Sequence, residues 1–243
     1  MKKINLIKNK NNLIQFVSTV PGLSLIKECA PQKTKNFIPD WFKNIPPSSF
    51  GLGTVKDCPS FVDWFSTGYV LPMWMDSEIF YDNESKKWET NSSPLMPLWD
   101  FHTENQMTEY VTPIFQGLNG TAIFKAQCPW RIITAPGWSV LQLPLFYNFN
   151  TDWSILPGII DTDIHHEINQ QVLYHGDKKS IFIKRGSPFV MYIPFKREKN
   201  ILEVRDQNKK DIEKFNLNLL KIKSKIIGQG SYRKMQKERD RKN

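Results

Sequence analysis

The sequence predicts a mainly β protein, a barrel or sandwich of short strands with a Pro-rich N-terminal arm and an amphipathic C-terminal helix. Three observations support this. First, 16 prolines and 12 glycines interrupt the 243 residues at short intervals. Second, short runs of β-forming residues lie between these breaks, for example at residues 130–135 and 189–195. Third, helical spacing of apolar residues appears only after residue 200. Frequent turns between short strands are typical of barrels and sandwiches.

Three parts follow from this pattern. Residues 1–53 form an N-terminal strand and an arm rich in proline and aromatic residues, in which Asp40 is expected to cap one helical turn. Residues 54–199 form the predicted β-barrel domain. Residues 200–243 form a basic helical tail, because apolar residues such as Ile212 and Phe215 recur at helical spacing with lysines between them.

Turn residues place the strands within the barrel. The polar stretch at residues 82–87 predicts a hairpin, and a strand is expected to begin after Gly68. Pro136-Gly137 predicts a second hairpin, which would pair residues 130–135 with residues 138–144.

Most of the positive charge lies in the tail. The chain has a net charge of +9, and residues 221–243 account for most of it. Phosphate contacts there would bind a nucleic acid, and a protein partner that docks on the tail is the alternative. The candidate nucleic-acid-binding residues are Lys221, Lys223, Lys225, Arg233 and Lys234.

The apolar runs, the N-terminal residues and the cysteines limit which class of protein the chain can belong to. No apolar run is long enough to span a bilayer, and the Lys- and Asn-rich N-terminus lacks the apolar segment of a secretory signal, so we expect a cytoplasmic protein without membrane contact. Three cysteines (Cys29, Cys58 and Cys128) without a CxxC pair predict reduced thiols rather than a disulfide framework or a zinc knuckle.

One histidine-containing segment is a candidate metal site. His102 and Glu104, with a distant His166 or His175, match a two-His-one-carboxylate metal site, and the alternative is a solvated loop with scattered histidines.

The sequence contains no P-loop, dinucleotide fingerprint, nucleophile elbow or HExxH motif, so it requires no cofactor. The tryptophans favour a core role over base stacking; those considered are Trp41, Trp64, Trp74, Trp130 and Trp138.

The sharpest motif is Gly158-Ile-Ile-Asp-Thr-Asp163, followed by a Lys-Arg-Gly turn that enters the last strand. It resembles the third and fourth motifs of the trimeric dUTPase and dCTP deaminase superfamily. The resemblance implies a barrel, a homotrimer, and a role for Asp161 in orienting the attacking water, with Asp163 beside it. The candidate ligand-binding residues are Tyr69, in a stretch similar to the first motif, and Ser139, His165 and His166.

The chain also departs from that superfamily. Ile164 stands where an aromatic would stack on the base, and residues 135–139 contain no arginine where the family has its phosphate-binding Arg-Ser pair. The Gly-rich C-terminal phosphate loop is absent as well. Binding a phosphate takes several backbone N–H groups and a cation, so these departures argue against the activity.

A second resemblance extends along most of the chain. The order of Phe37-Ile-Pro-Asp-Trp-Phe, Cys128-Pro-Trp and Ala135-Pro-Gly-Trp-Ser is similar to an uncharacterised family of tailed phages and marine bacteria. This resemblance implies a phage origin, with the host cytoplasm or the virion as the location. It implies no reaction.

Three functions are therefore considered. The first is a non-catalytic β-barrel binding or assembly protein, which the missing phosphate-binding elements favour. The second is a nucleotide-acting hydrolase or deaminase that uses Asp161, and the third is a metal-dependent oxygenase that uses His102 and Glu104. Under the first, Asp161 and Asp163 have a structural role and accept hydrogen bonds from the backbone of their tight turn.

Overall fold

The frequent turns of the sequence separate short strands in the computed structural model, which describes residues 14–46, 53–85, 87–91, 98–101, 123–175 and 180–223. Fourteen strands lie within these residues, so the prediction of a mainly β fold is confirmed. They are β1 (Ile14–Ser18), β2 (Gln32–Lys33), β3 (Tyr69–Pro72), β4 (Ser77–Asp82), β5 (Lys87–Asn91), β6 (Trp99–Phe101), β7 (Ile123–Ala126), β8 (Trp130–Thr134), β9 (Trp138–Leu143), β10 (Trp153–Ile155), β11 (Gly158–Ile160), β12 (Gln170–Tyr174), β13 (Ser180–Ile183) and β14 (Pro188–Lys196).

The strands form four antiparallel groups. The five-stranded sheet has the order β11-β9-β14-β3-β2, and the four-stranded sheet has the order β10-β12-β7-β6. A three-stranded sheet, β13-β4-β5, and the pair β1-β8 complete the described pairing. The hairpin predicted at residues 82–87 is β4-β5, in which the Asp82 carboxylate accepts the backbone N–H groups of Glu84 and Ser85.

A buried hydrogen-bond chain connects the two larger sheets. Gln170 of β12 donates to the Tyr192 hydroxyl of β14 at 2.6 Å, and that hydroxyl donates to Gln142 of β9 at 3.1 Å. Burial raises the pKa of Tyr192 well above its usual value, so the phenol stays neutral. The side chains around these hydrogen-bonded residues form the core. The largest fully buried side chains include Trp130, Tyr174, Phe124 and Phe189.

The prediction of a hairpin through Pro136-Gly137 is wrong. Gly137 does turn the chain, with a left-handed φ of 81°. However, β8 pairs with β1, whereas β9 pairs with β14 and β11. The turn therefore leads from one group of strands to another, because partners distant in sequence occupy the edges of both strands.

Gly68 is required where the chain enters β3. Its φ is 70°, and a Cβ atom there would lie 2.4 Å from the Tyr192 carbonyl oxygen. Only glycine lets the two backbones approach this closely. The predicted start of a strand after Gly68 is confirmed.

The chain divides into two units. The first comprises Met1–Pro39 and Thr67–Arg197, and it contains all the strands named above. The second comprises Asp40–Ser66 and Glu198–Asn243, and it contains the helices α1 (Asp40–Lys43), α2 (Pro59–Trp64) and α3 (Lys209–Lys223). No helix among the described residues is both long and apolar enough to cross a membrane.

The tail helix α3 begins later than the apolar spacing after residue 200 suggested. The Asn208 side chain accepts the Asp211 backbone N–H at 3.1 Å, and the Asp211 carboxylate accepts the Asn208 N–H at 3.0 Å. This reciprocal capping fixes the start of the helix at Lys209. Ile212 and Phe215 are exposed on α3.

The tryptophans and cysteines have mixed environments. Trp74 and Trp130 are buried as predicted, whereas Trp41 is exposed, and Trp64 and Trp138 are partly buried. All three cysteines are free thiols, as predicted. Burial raises the pKa of Cys128 to about 12, and the Ser60 hydroxyl lowers the pKa of the partly buried Cys58.

Candidate functional site

The Asp161-Thr-Asp163 motif forms a tight turn between β11 and β12. The Asp161 carbonyl accepts the backbone N–H groups of Ile164 and His165 at 2.9 and 2.8 Å, which closes the turn. At its centre, the buried Thr162 hydroxyl lies 2.8 Å from the Thr134 hydroxyl of β8. The turn is therefore held on β8 by a buried hydrogen bond, and both carboxylates have a fixed position.

Asp163 has two kinds of donor around its carboxylate. Arg197, which directly follows β14, donates from both terminal nitrogens at 2.9 and 2.5 Å. The Gly137 backbone N–H donates at 2.8 Å. The Asp163 side chain is only 7% exposed, whereas the Arg197 side chain is 34% exposed, so the carboxylate is shielded while the guanidinium remains partly open to solvent.

Asp161 lies on the open side of the same arginine. Its carboxylate accepts the Ser139 hydroxyl at 2.6 Å and lies 2.9 Å from Arg197. The Asp161 side chain is 51% exposed. Arg197 also donates to the Ser139 oxygen at 2.8 Å. We call Ser139, Asp161, Asp163 and Arg197 the Asp-Arg cluster.

The charges within the cluster stabilise one another. The hydrogen bond from Ser139, followed by that from Arg197, lowers the pKa of Asp161. The hydrogen bonds from Arg197 and from the Gly137 N–H lower the pKa of Asp163. In turn, Asp163 raises the pKa of Arg197. All three groups are therefore charged at neutral pH.

The sequence pattern did not predict that Arg197 belongs to this cluster. Residues 135–139, where the resemblance implies a phosphate-binding cation before the hairpin, contain no basic residue. Arg197 comes from the other end of the domain, because β14 runs antiparallel to β9 with Lys196 opposite Trp138. The Arg197 N–H then donates to the Gly137 carbonyl at 2.8 Å. Residues 135–139 contain no arginine, as the sequence shows, and the cation beside Asp161 comes instead from position 197.

The source of the hydrogen bonds also differs from the expectation. We expected both carboxylates to accept N–H groups from their own turn. Instead, the Asp161 carbonyl accepts the N–H groups of that turn. The two carboxylates accept hydrogen bonds from Ser139, Gly137 and Arg197. The motif thus joins the turn to two other parts of the sheet.

The other candidate ligand-binding residues have separate contacts. His166 Nδ1 lies 3.0 Å from the Thr162 carbonyl and 3.2 Å from the Ile132 carbonyl, so it helps to hold the turn on β8. His165 is exposed. The Tyr69 ring packs on Phe16 with ring centroids 5.7 Å apart, in β3 rather than in the Asp-Arg cluster.

Several candidates lie outside the described residues. These are His102, Glu104, Lys225, Arg233 and Lys234. Lys221 and Lys223 lie in the last turn of α3. Among the described residues, no group of three or more His, Cys, Asp or Glu side chains is placed to hold a metal ion. His175, the distant partner considered for His102, lies 2.8 Å from the Ser154 hydroxyl.

Comparison with known proteins gives similarity to solved structures only. No protein-family model and no curated protein matches the chain. The native dUTPase of EIAV matches at 17% identity and a TM-score of 0.32, over 59% of this chain and 86% of that one. A mutant dUTPase from phage phi11 of S. aureus matches at 9% identity and a TM-score of 0.36, over 82% and 99%. Scores this low assign neither a fold family nor an activity.

Proposed function

We propose that this chain is a non-catalytic β-fold binding or assembly protein in which the Asp-Arg cluster is a structural clamp. The observation that supports this is the internal pairing of Arg197, whose guanidinium lies within 2.9 Å of both Asp161 and Asp163. The cluster joins the turn after β11 to the start of β9 and the end of β14. The charges of Arg197, Asp161 and Asp163 are therefore paired with one another inside the protein.

The same pairing disfavours phosphate chemistry. Hydrolysis of a nucleoside triphosphate requires preorganised donors that neutralise the phosphate charge. Arg197 is the cation of this cluster, and two carboxylates surround it. An incoming phosphate would meet their negative charge and would have to displace Asp161 from the guanidinium. The motif Gly228-Gln-Gly230 supplies too few glycines for a phosphate loop.

The assembly part of the proposal rests on the sequence. The motif order that is similar to a family of tailed phages and marine bacteria supports a phage origin, and with it a location in the host cytoplasm or the virion. Resemblance to the dUTPase superfamily supports a homotrimer. The basic residues 221–243 support a nucleic-acid or protein partner.

The alternative is a nucleotide-acting hydrolase or deaminase that uses Asp161. One observation favours it, since Asp161 is half-exposed and lies beside a hydroxyl and a guanidinium. The metal-dependent oxygenase remains a prediction from His102 and Glu104 alone. A nucleotide enzyme would release product at a rate that depends on Asp161.

A turnover assay separates the two main functions. Wild-type chain is incubated with each deoxynucleoside and ribonucleoside triphosphate plus Mg²⁺, and pyrophosphate and deaminated base are measured. We expect no product above the protein-free reaction. Product formed by the wild type and lost in Asp161→Asn, at an unchanged melting temperature, would establish the enzyme and reject the binding function.

A further inference from the structure

The start of the tail helix α3 is held by contacts within its own segment. The Asp211 carboxylate accepts the Asn208 backbone N–H, and the Asn208 side chain accepts the Asp211 N–H. Arg205 adds a two-pronged contact, in which Nη1 and Nη2 donate to the two oxygens of the same carboxylate. All three residues lie within positions 205–211, so the start of α3 is fixed locally.

The apolar side chains of α3 are nevertheless open to solvent. Ile212 is 42% exposed and Phe215 is 51% exposed. A helix of 15 residues is only marginally stable in water by itself, and most helices in proteins are stabilised by packing of an apolar face. The cap thus preforms a helix whose apolar face is uncovered, and a partner on that face would stabilise it.

The spacing of the apolar residues identifies the kind of surface that fits. From position 212 onwards, apolar residues follow one another at intervals of three, four, three and four positions; they are Ile212, Phe215, Leu219, Ile222 and Ile226. The first four positions lie within α3, and position 226 lies outside the described residues. This spacing is the a and d pattern of a coiled coil, which repeats about every 3.5 residues. We call these positions the seam.

The positions that flank the seam are polar. With Ile212 at position a, the g positions are Asp211 and Asn218, and the e positions are Asn216 and Lys223. A helix that packs on a globular body usually has an apolar residue at e or g as well, whereas apolar residues at a and d alone are typical of a coiled coil. Two further leucines, at positions 217 and 220, lie off the seam at f and b. The seam therefore fits another helix with the same repeat.

The flanking charges permit α3 to pair with a copy of itself. In a parallel coiled coil, a g residue faces the e residue five positions later on the neighbouring helix. These pairs are Asp211 with Asn216 and Asn218 with Lys223, so no two like charges face each other. Rotation about a single axis also gives every copy of α3 the same direction along that axis in a cyclic oligomer. A second copy of this chain thus meets the requirements of the seam.

We propose that α3 is a self-association helix, which pairs in parallel and in register with α3 of further copies of this chain. The contact begins at Ile212 and Phe215 and continues along the seam. Each copy would cover the exposed apolar face of its neighbour, and the polar e and g positions would border the contact. This inference deepens the proposed homotrimer and rests on it, by naming the surface that joins the copies.

The first test measures the sedimenting mass of the full chain. We expect the wild type to sediment at a multiple of the chain mass and Phe215→Asp to sediment at a lower mass, because the variant places an unpaired charge in the seam. Leu217→Asp is the matched control, since Leu217 is 56% exposed on the same helix at position f. This control introduces the same residue into α3 and should leave the mass unchanged.

The second test examines direction and register. In a chain with Cys58→Ser, which removes the partly exposed thiol, Phe215→Cys should form a disulfide between copies on mild oxidation. Parallel helices in register bring the two copies of position 215 close enough for this bond. Leu217→Cys, two positions away at f, should form far less. A non-reducing gel measures both yields, and equal yields, or none in Phe215→Cys, would overturn the parallel pairing.

The outcomes separate this inference from the proposed function. A wild type that sediments as a monomer would overturn both the coiled coil and the homotrimer, and the seam would then be covered by a different protein or by the chain itself. An unchanged mass in Phe215→Asp would overturn the coiled coil and leave the homotrimer to another surface. The turnover assay decides the binding function independently of both results.

Discussion

Asp163 and Arg197 form a two-pronged ion pair although 34 positions separate them in the sequence. The pair joins the turn after β11 to the residue that follows β14. Fork-shaped pairing of a guanidinium with a carboxylate constrains orientation as well as distance. This pair therefore fixes how two distant strand ends meet.

Removal of either partner should destabilise the fold. We expect Asp163→Asn and Arg197→Gln each to lower the melting temperature by several degrees. The first change leaves Arg197 with Asp161 alone, and the second leaves both carboxylates without their cation. Thermal unfolding followed by circular dichroism measures this. The double variant should be destabilised by less than the sum of the single variants, as expected for residues in contact.

The exposed ion pair between Arg185 and Glu28 is the matched control. Its atoms approach to 2.7 Å, but both side chains are half-exposed. Exposed pairs contribute little to stability, so Arg185→Gln should barely change the melting temperature. An equal loss in Arg185→Gln and Arg197→Gln would show that the Asp-Arg cluster is an ordinary surface pair.

The clamp should weaken in acid. The pKa of Asp161 and that of Asp163 lie below the ordinary value of 3.8 in the folded chain. The unfolded chain therefore binds more protons near that pH, and folded stability falls as the pH falls through the lowered values. Unfolding by urea from neutral pH to about pH 2 should show the wild type losing its advantage over Asp163→Asn. A constant difference across this range would contradict the assignment.

Two glycines with similar backbones should respond differently to alanine. Gly68 and Gly137 have φ values of 70° and 81°. A Cβ atom at Gly68 would meet the Tyr192 carbonyl at 2.4 Å, whereas one at Gly137 would meet nothing within 4 Å. Gly137→Ala should cost about 1 kcal/mol of backbone strain, and Gly68→Ala should cost clearly more. Equal losses of melting temperature would mean that the close approach at Gly68 relaxes freely.

The three thiols should differ in reactivity. Cys29 and Cys128 are buried, whereas Cys58 is partly exposed and has a lowered pKa. A thiol reagent at neutral pH should therefore label Cys58 first, since the thiolate is the reactive form. Unfolding without reductant should then reveal three thiols in total. Fewer than three would show a disulfide, and fast labelling of Cys128 would contradict its burial.

The basic tail stays a prediction from sequence. If residues 221–243 bind nucleic acid, their deletion should abolish retention on a polyanion column and flatten its salt dependence. Unchanged retention would reject this role. The same measurement on Arg197→Gln controls for the loss of a positive charge elsewhere.

The sequence predicted the elements that local chemistry determines. The β4-β5 hairpin follows from Asp82, whose carboxylate captures two nearby N–H groups. The start of β3 follows from Gly68. Both depend on residues within a few positions of the turn.

The sequence could not predict features that depend on distant pairing. Pro136-Gly137 looks like a hairpin turn, but β1 takes one edge of β8 and β14 takes one edge of β9. The role of Arg197 depends on that second pairing. A cavity of about 560 Å³ was likewise missed, because Phe149 and Phe182 come to line the same space only when β10 and β13 are placed.

The pairing of β1 with β8 has a consequence for synthesis on the ribosome. The hydrogen bond that follows β1, from Thr19 to Pro129, joins residues 110 positions apart. At about 5 to 20 residues per second, β1 emerges roughly 5 to 20 s before its partner. During that interval its alternating apolar residues and both of its edges are uncovered. A chaperone that shields nascent chains would therefore have residues 14–18 as a binding segment throughout that interval.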